Sequence, residues 1–553
     1  MALTLTRLNK SWIISRLIFA PFPLVAIFAI LIMALSAYQK GRSITTFIQG
    51  CDPFGYSRMA DVIRNARSSG QSADFFIRDD QTRWLIEKFK QSGLPSSSWD
   101  EVVTAHAHHY FPGSDEVGPQ YPPGTGWTLS FFPKTDAVRD LNLLTILILA
   151  IGSILVVFWC TRNGLPFSCL MIAGAVCAFF SVYQWIDNLS FSINATLLPL
   201  FLGTFSAGLA TLYPQRMLAI LLGLASGILF GLVIQTRLAS VLLIPAIALI
   251  FVPRKIHLLF WYLAGVTLNG VVPLLFHNKT ITGSFAGATY NSGDTRQSFS
   301  CIPTNLSMYL HHAKESSLYY VLYLCMGLCL LILVILATSS LRTPQWRLWA
   351  TNHYGLAMAP ACAFFLTAVY FLTHFVLIIY YLVPGMLLVG LLIAFLFVSL
   401  EIQWRKLTAH SQATRVIGGL AAMTISIAAL VYLSSNYTEI KDLARTALTS
   451  PEEPPFQFNV PAELLDAKAW IWADTYSSSI DYYTAHSSFK LPFSTPQMRK
   501  LMYAWIKSKG DSQYMIADSD GMKKLVGEAQ ALGWKLTYLG DLRGAPYYKM
   551  EMP

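Results

Sequence analysis

Charge is what this chain has least of. Only 13% of its 553 residues are Asp, Glu, Lys or Arg, against roughly 25% in an ordinary soluble domain, which excludes a water-soluble globule of this size. Familiar nucleotide chemistry is missing as well: no GxxxxGKS/T phosphate loop, no GxGxxG turn opening a helix, no CxxC pair and no HExxH are present. Cysteine is sparse. Six of the eight (160, 169, 177, 325, 329 and 362) fall in or beside apolar stretches, where a thiol acts as a small hydrophobe. No internal duplication is evident, which weighs against repeat-built secondary transporters.

What the chain has instead is apolar length. Hydrophobic residues make up 54% of it, and a helix needs about 20 of them in a row to cross a bilayer, where lipid offers the backbone no other hydrogen-bond partner. Eleven stretches qualify, near 17 to 38, 141 to 161, 163 to 186, 188 to 213, 217 to 236, 238 to 252, 256 to 276, 318 to 341, 348 to 373, 375 to 400 and 416 to 438. The first is too long and proline-interrupted for a cleaved signal and reads as retained. The expected fold is a polytopic α-helical membrane protein of about eleven transmembrane helices.

Short connections carry Arg7, Lys10, Arg16, Arg162, Arg216, Arg254, Lys255, Arg342, Arg347, Arg405, Lys406 and Arg415 on one side, whereas the short turns near Asp187 and His374 carry none. Lys and Arg resist translocation, so the N-terminus is expected in the cytoplasm and, after an odd number of spans, the C-terminus outside. These inner cations account for much of the net charge of +10. Anionic membrane lipid is their expected counterpart, with no nucleic acid.

Three longer segments fall on the outer side: a first loop over 39 to 140, a second over 277 to 317, and the tail. The first loop reads as two surface helices, Tyr56 to Ser69 and Asp80 to Gln91. The division is a transmembrane module over 1 to 438, a linker over 439 to 458 and a small soluble α/β extracytoplasmic domain over 459 to 553. In the last, strands at Ala469 to Ala473, Gln513 to Ala517 and Lys535 to Gly540 alternate with helices at Pro496 to Lys507 and Gly521 to Leu532. Cys51 and Cys301 both lie in outer loops, so a disulfide between them and two free thiols are both open readings.

Candidate chemistry begins at Cys51-Asp52-Pro53, just after the first stretch. Asp followed by Pro suits a helix start, so capping and catalysis are equal readings of Asp52. Later in the same loop, Gln120-Tyr121-Pro122-Pro123-Gly124-Thr125-Gly126-Trp127 enforces an extended, tightly turned backbone. An acid after the first span followed by a YPPG turn before the second resembles the GT-C superfamily of membrane glycosyltransferases, including its protein mannosyltransferase and lipid A aminoarabinose transferase branches.

That resemblance implies a GT-C-like fold in the bacterial inner (plasma) membrane and an inverting glycosyltransferase. The donor would be a polyprenyl-phosphate-linked sugar and the acceptor a lipid, polysaccharide or protein of the cell envelope. Asp52 would be the catalytic base. Gln235-Thr236-Arg237 resembles the Thr-Arg or Thr-Lys step of the family, making Arg237 a phosphate partner; a snorkelling arginine is the plainer reading. His374 with Tyr380-Tyr381-Leu382-Val383-Pro384 resembles the late basic residue and Tyr-x-x-Pro segment, and Tyr121, Tyr381, Asp187, Lys279 and Arg296 complete the expected substrate-binding set. Asp187 also reads as a helix cap. No WWDYG-like segment in the tail marks the oligosaccharyltransferase branch.

No cofactor is expected. A divalent metal is the alternative, at His106-Ala107-His108-His109, because alternate residues of a strand share a face; a solvated loop is the plainer reading. From another class altogether, a multi-span transporter or flippase fits the same number of spans. It would place ionisable groups near mid-membrane, whereas here they gather at the outer rim.

Overall fold

A computed structural model describes residues 21–42, 48–134, 136–182, 191–213, 215–253, 255–290, 297–315, 344–374, 379–408, 458–466, 468–484 and 486–551. The stretches expected at 318 to 341 and 416 to 438, together with Asp187 and Arg296, lie outside these residues. The helices are α1 (Pro21–Arg42), α2 (Cys51–Ser69), α3 (Asp80–Ser92), α4 (Gly124–Leu129), α5 (Ala137–Arg162), α6 (Pro166–Val182), α7 (Phe191–Leu212), α8 (Arg216–Thr236), α9 (Ile244–Ile250), α10 (Ile256–Val266), α11 (Val272–Thr282), α12 (Ile302–Glu315), α13 (Pro344–Thr373) and α14 (Val383–Thr408). Between α2 and α4 runs a two-stranded antiparallel ribbon of β1 (His108–Phe111) and β2 (Glu116–Pro119).

Among the described residues, seven helices are long and apolar enough to cross a membrane: α1, α5, α7, α8, α10 continuing into α11, α13 and α14. This is an integral membrane protein; of the eleven spans expected, two lie outside the described residues, and α6 and Leu238–Ile250 are shorter apolar helices. The second of these still runs the depth of the bundle. Arg237 ends α8, while Lys255 donates to Tyr213 O at 2.9 Å beside the start of α8. The return begins as a 3-10 helix, Leu238–Leu243, which rises about 2.0 Å per residue rather than about 1.5 Å and so covers depth with fewer residues.

The two ends of the bundle differ chemically. At the end that holds Arg162, Arg216 and Lys255, the Glu401 carboxylate accepts from Ser168 N at 2.7 Å and Ser168 Oγ at 2.6 Å. An anion there meets the free N–H groups that open α6. The opposite end carries the long loop between α1 and α5.

That loop does not stand alone. The tail forms β3 (Ala469–Ala473), α15 (Thr475–Thr484), β4 (Ser488–Lys490), α16 (Pro496–Lys509), β5 (Ser512–Ile516), α17 (Asp520–Ala531), β6 (Lys535–Leu542) and β7 (Ala545–Glu551). Its five-stranded sheet has the order β4-β3-β5-β7-β6, parallel across β4, β3 and β5 and antiparallel at β7 and β6. The run Ala-Trp-Ile-Trp-Ala of β3 is buried throughout, as a parallel strand covered on both faces requires. Alternation sends Ile471 to the face shared with Ile480 of α15, and Trp470 and Trp472 to the other.

The tryptophan face is where loop and tail meet. Leu85 and Phe89 of α3, with Trp99, Val102, Tyr110 and Val117, form one core with Trp470, Trp472, Phe489, Met498 and Met502. Phe89 stacks on Trp99 at 5.3 Å and meets Trp505 edge-on at 5.2 Å. Gln81 Nε2 donates to Ala469 O at 2.9 Å. The segment expected as a separate soluble domain therefore completes the loop's core. Loop and tail sit on one side of the membrane, so the chain between them crosses an even number of times.

Phe89→Ala removes a fully buried ring from both halves of this core, a loss of about 3 to 5 kcal/mol for such a truncation. Limited proteolysis of the purified protein should then release fragments from the loop and the tail together. Cleavage confined to the loop would show that the tail folds independently.

Candidate functional site

Asp52 sits in the first turn of α2, whose N-cap is Gly50 and has no side-chain cap bond. The N-cap is thus Gly50 rather than Asp52, and the Asp52 carboxylate meets a phenol: Tyr121 Oη donates to Asp52 Oδ1 at 2.5 Å. Tyr121 stacks on Tyr56 at 4.5 Å, and its carbonyl meets His277 Nε2 at 3.1 Å. Burial and the negative charge of Asp52 hold the Tyr121 phenol well above its usual range, and burial, Tyr290 and Asp52 do the same for Tyr56. Both stay protonated, so Tyr121 remains a donor to the carboxylate.

The turn after Tyr121 explains how the acid reaches the bundle. Pro122 and Pro123 lead into α4, whose glycines lie against two other backbones. A Cβ at Gly124 would meet the Gln235 carbonyl carbon at 2.5 Å, and one at Gly126 would meet the Met59 Cβ at 2.6 Å. No side chain fits either place. Thr125 Oγ1 donates to Thr236 O at 3.0 Å, and Thr236 Oγ1 lies 2.8 Å from Thr196 Oγ1. α4 therefore joins the helix of Asp52 to the end of α8, where Arg237 follows.

Arg237 is half-buried, with its guanidinium 3.8 Å over the Tyr381 ring and Nη1 3.5 Å from Ser192 Oγ. Tyr381 and Tyr370 both lie against His374, whose ring is buried. Ser192 hydrogen-bonds Tyr56, and Tyr56 hydrogen-bonds Tyr290. Tyr290 meets Tyr121 edge-on at 5.9 Å and lies within electrostatic range of Asp52, Arg237 and Tyr381. Asp52, Tyr121, Arg237, Tyr381 and His374 thus form one continuous assembly at the end of the bundle that carries the loop.

Three members escaped the sequence reading. Tyr56 was assigned only to a surface helix, while Ser192 and Tyr290 stand in segments with no motif around them. Lys279 behaves otherwise: it is exposed and donates to Gly283 O at 2.6 Å, closing its own helix end. Cys51 and Cys301 are free thiols, so the disulfide reading falls. Cys51 Sγ instead accepts from Gln120 Nε2 at 3.0 Å, and burial, with Asp52 adding, pushes its thiol up to about 11.

The histidine run divides among separate partners. His106 Nε2 lies 3.1 Å from Asp474 Oδ1 of the tail, His108 Nδ1 is 3.1 Å from His106 O, and His109 pairs with Gln120. Among the described residues no group of three or more His, Cys, Asp or Glu is placed to hold a metal ion. Burial lowers all three imidazoles: His106 moderately, His108 far, and His109 to about 4. The cluster is a neutral polar seam between loop and tail, next to the buried Lys490.

No known protein family profile matches the sequence, and no curated protein does. Among solved structures, the chain is similar to the crystal structure of the Archaeoglobus fulgidus oligosaccharyltransferase in complex with zinc and sulfate, at 12% identity and a TM-score of 0.35. The match covers 85% of this chain and spans 62% of the length of that one.

The seam makes a prediction about pH. His108 has a lower pKa folded than unfolded, so its contribution is complete above about 6.5 and is lost as pH falls below that value. The unfolding temperature in detergent should therefore drop between pH 7 and pH 5. In His108→Gln that drop should be shallower; an identical slope would mean that the imidazole does not titrate on unfolding.

Proposed function

We propose that the chain is an inverting glycosyltransferase of GT-C type, acting at the outer membrane surface on a polyprenyl-phosphate-linked sugar. The observation that carries this reading is one assembly holding a carboxylate and a guanidinium in the same aromatic surround at the rim of an apolar bundle. Both Asp52 and Arg237 remain partly exposed within it. A donor with an isoprenoid tail in the membrane and its phosphate at the surface brings its reacting carbon to that height.

The chemistry asks for two things. Asp52 accepts the proton of the acceptor hydroxyl as its oxygen bonds to the anomeric carbon; the bond from that carbon to the phosphate oxygen breaks, and its electron pair leaves with the polyprenyl phosphate. A single displacement from the far side inverts the anomeric centre. Phosphate is a weak base and needs no proton, so the leaving side calls for positive charge, which Arg237 supplies through a planar fork of donors. Tyr121 orients the carboxylate. A carboxylate has room for about four donors, more than one phenol uses.

The transporter reading fits less well. Among the described residues, the ionisable side chains of the long apolar helices lie toward helix ends, as Asp140, Arg162, Lys279 and Glu401 do. A translocation path normally places such groups near mid-membrane.

Membranes holding equal amounts of wild type or Asp52→Asn, incubated with a panel of radiolabelled polyprenyl-phosphate sugars and envelope acceptors, test the proposal. Loss of the base should lower donor-dependent labelling by about 10²- to 10⁴-fold. Arg237→Gln should weaken the rate even at saturating acceptor. Equal labelling by wild type and Asp52→Asn would remove Asp52 from the mechanism, and no labelling by the wild type with any donor would favour transport.

A further inference from the structure

The helix that carries Asp52 begins without a cap of its own. Its N-cap, Gly50, has φ 75° and ψ −168°, a backbone region essentially confined to glycine. A Cβ there would meet nothing within 4 Å, so conformation rather than crowding requires the glycine. A helix start of this kind leaves N–H groups to be satisfied from elsewhere. One of them, Gly50 N, is met from the tail.

Three consecutive residues before Asp52 are gripped by α15. Gly50 N donates to Ser478 Oγ at 2.8 Å and to Thr475 O at 3.3 Å. Gln49 Nε2 donates to Thr475 Oγ1 at 3.2 Å. Ile48 N donates to Tyr483 Oη at 3.1 Å, and Ile48 O accepts from Ser479 Oγ at 2.8 Å. Further along α2, Arg58 Nη1 meets Asp481 Oδ1 at 3.1 Å.

α15 is itself fixed. Asp518 accepts from Asp474 N at 3.0 Å, from Thr475 Oγ1 at 3.2 Å and from Tyr476 N, tying the start of α15 to the end of β5. Ser478 and Ser479 are fully buried. A surface-docked domain held only by apolar contact would need none of this directed bonding.

We propose that α15 is the positioning element for Asp52, with Ser478 and Tyr483 as positioning residues that set the first turn of α2 from outside it. This rests on the reading of Asp52 as the base. The tail then serves catalysis by holding the acid at its angle, and the hydrogen bonds of the grip run to Ile48, Gln49 and Gly50, not to Arg237. Loosening it should impair the chemical step and leave donor binding alone.

The test uses the full-length protein carrying Ser478→Ala with Tyr483→Phe, and Tyr483→Phe alone, which keeps the ring packed near Phe458. Cys51, one residue before Asp52, reports the local structure without any substrate. Its alkylation, followed by mass spectrometry of the Cys51 peptide, should be at least tenfold faster in the double variant. In the transfer assay kcat should fall on the order of 10- to 100-fold, with the donor KM within about twofold. Tyr538→Phe, which removes an exposed hydrogen bond to Asp541 at the far edge of the sheet, should match wild type in both. Unchanged Cys51 labelling or unchanged kcat in the clamp variants overturns the proposal. Wild-type activity in Asp52→Asn overturns the functional reading instead, whatever Cys51 reports.

Discussion

Gly124 and Gly126 let three backbones approach more closely than any side chain would permit, and the geometry of the rim that carries the loop follows from that approach. On one side is the turn of α2 that holds Met59, about two turns from Asp52; on the other is the last turn of α8, which ends at Arg237. An alanine at either glycine would force these apart by a few tenths of an ångström or more, since its Cβ would lie at 2.5 to 2.6 Å from atoms that cannot swing away. The Thr125 and Thr236 bonds then fix the join against sliding. A carboxylate from a surface helix and a guanidinium from a membrane helix consequently belong to one assembly rather than two.

The same loop is fixed a second time from above. Its apolar residues share one core with Trp470, Trp472 and Phe489 of the tail. Between them lies a polar seam in which His106 meets Asp474 and Lys490 is buried. Buried polar groups are tolerated when paired and are costly when exposed to the wrong neighbour. An apolar face would hold loop and tail together at several relative angles, whereas a paired seam selects one. That selection is useful only if something in the loop depends on the angle, and Asp52 is at the loop's gripped end.

Hydropathy made the described spans legible because each requirement is local: a run of apolar residues either covers the bilayer or does not. The order of an acid followed by a YPPG turn was legible too, although its physical content was not. Proline and glycine read as a turn; only the positions of Met59 and Gln235 show that the glycines are there for contact. Tyr56, Ser192 and Tyr290 carried no signal, since each is defined by partners more than a hundred residues away or by a single hydroxyl. Lys279 shows the converse. A cation expected in a loop resembles a phosphate ligand in sequence; in the structure it stands in the last turn of α11 and donates to the carbonyl of Gly283 four residues on, a local contact that periodicity does not reveal.

The tail illustrates the limit most clearly. Its strands β3 and β5 and its helices α16 and α17 fall close to their expected bounds, because Thr495 and Ser519 cap the helices and Gly510 ends one of them. α15 was not expected, for its sequence Thr-Tyr-Ser-Ser-Ser-Ile-Asp-Tyr-Tyr-Thr is poor in strong helix formers. Serine and threonine side chains compete with the backbone for hydrogen bonds. That same tendency is what α15 puts to use: hydroxyls that weaken it as an isolated helix bond across to Ile48, Gln49 and Gly50. Local propensity and tertiary role oppose each other here, and such conflicts are expected where a segment serves a site rather than its own stability.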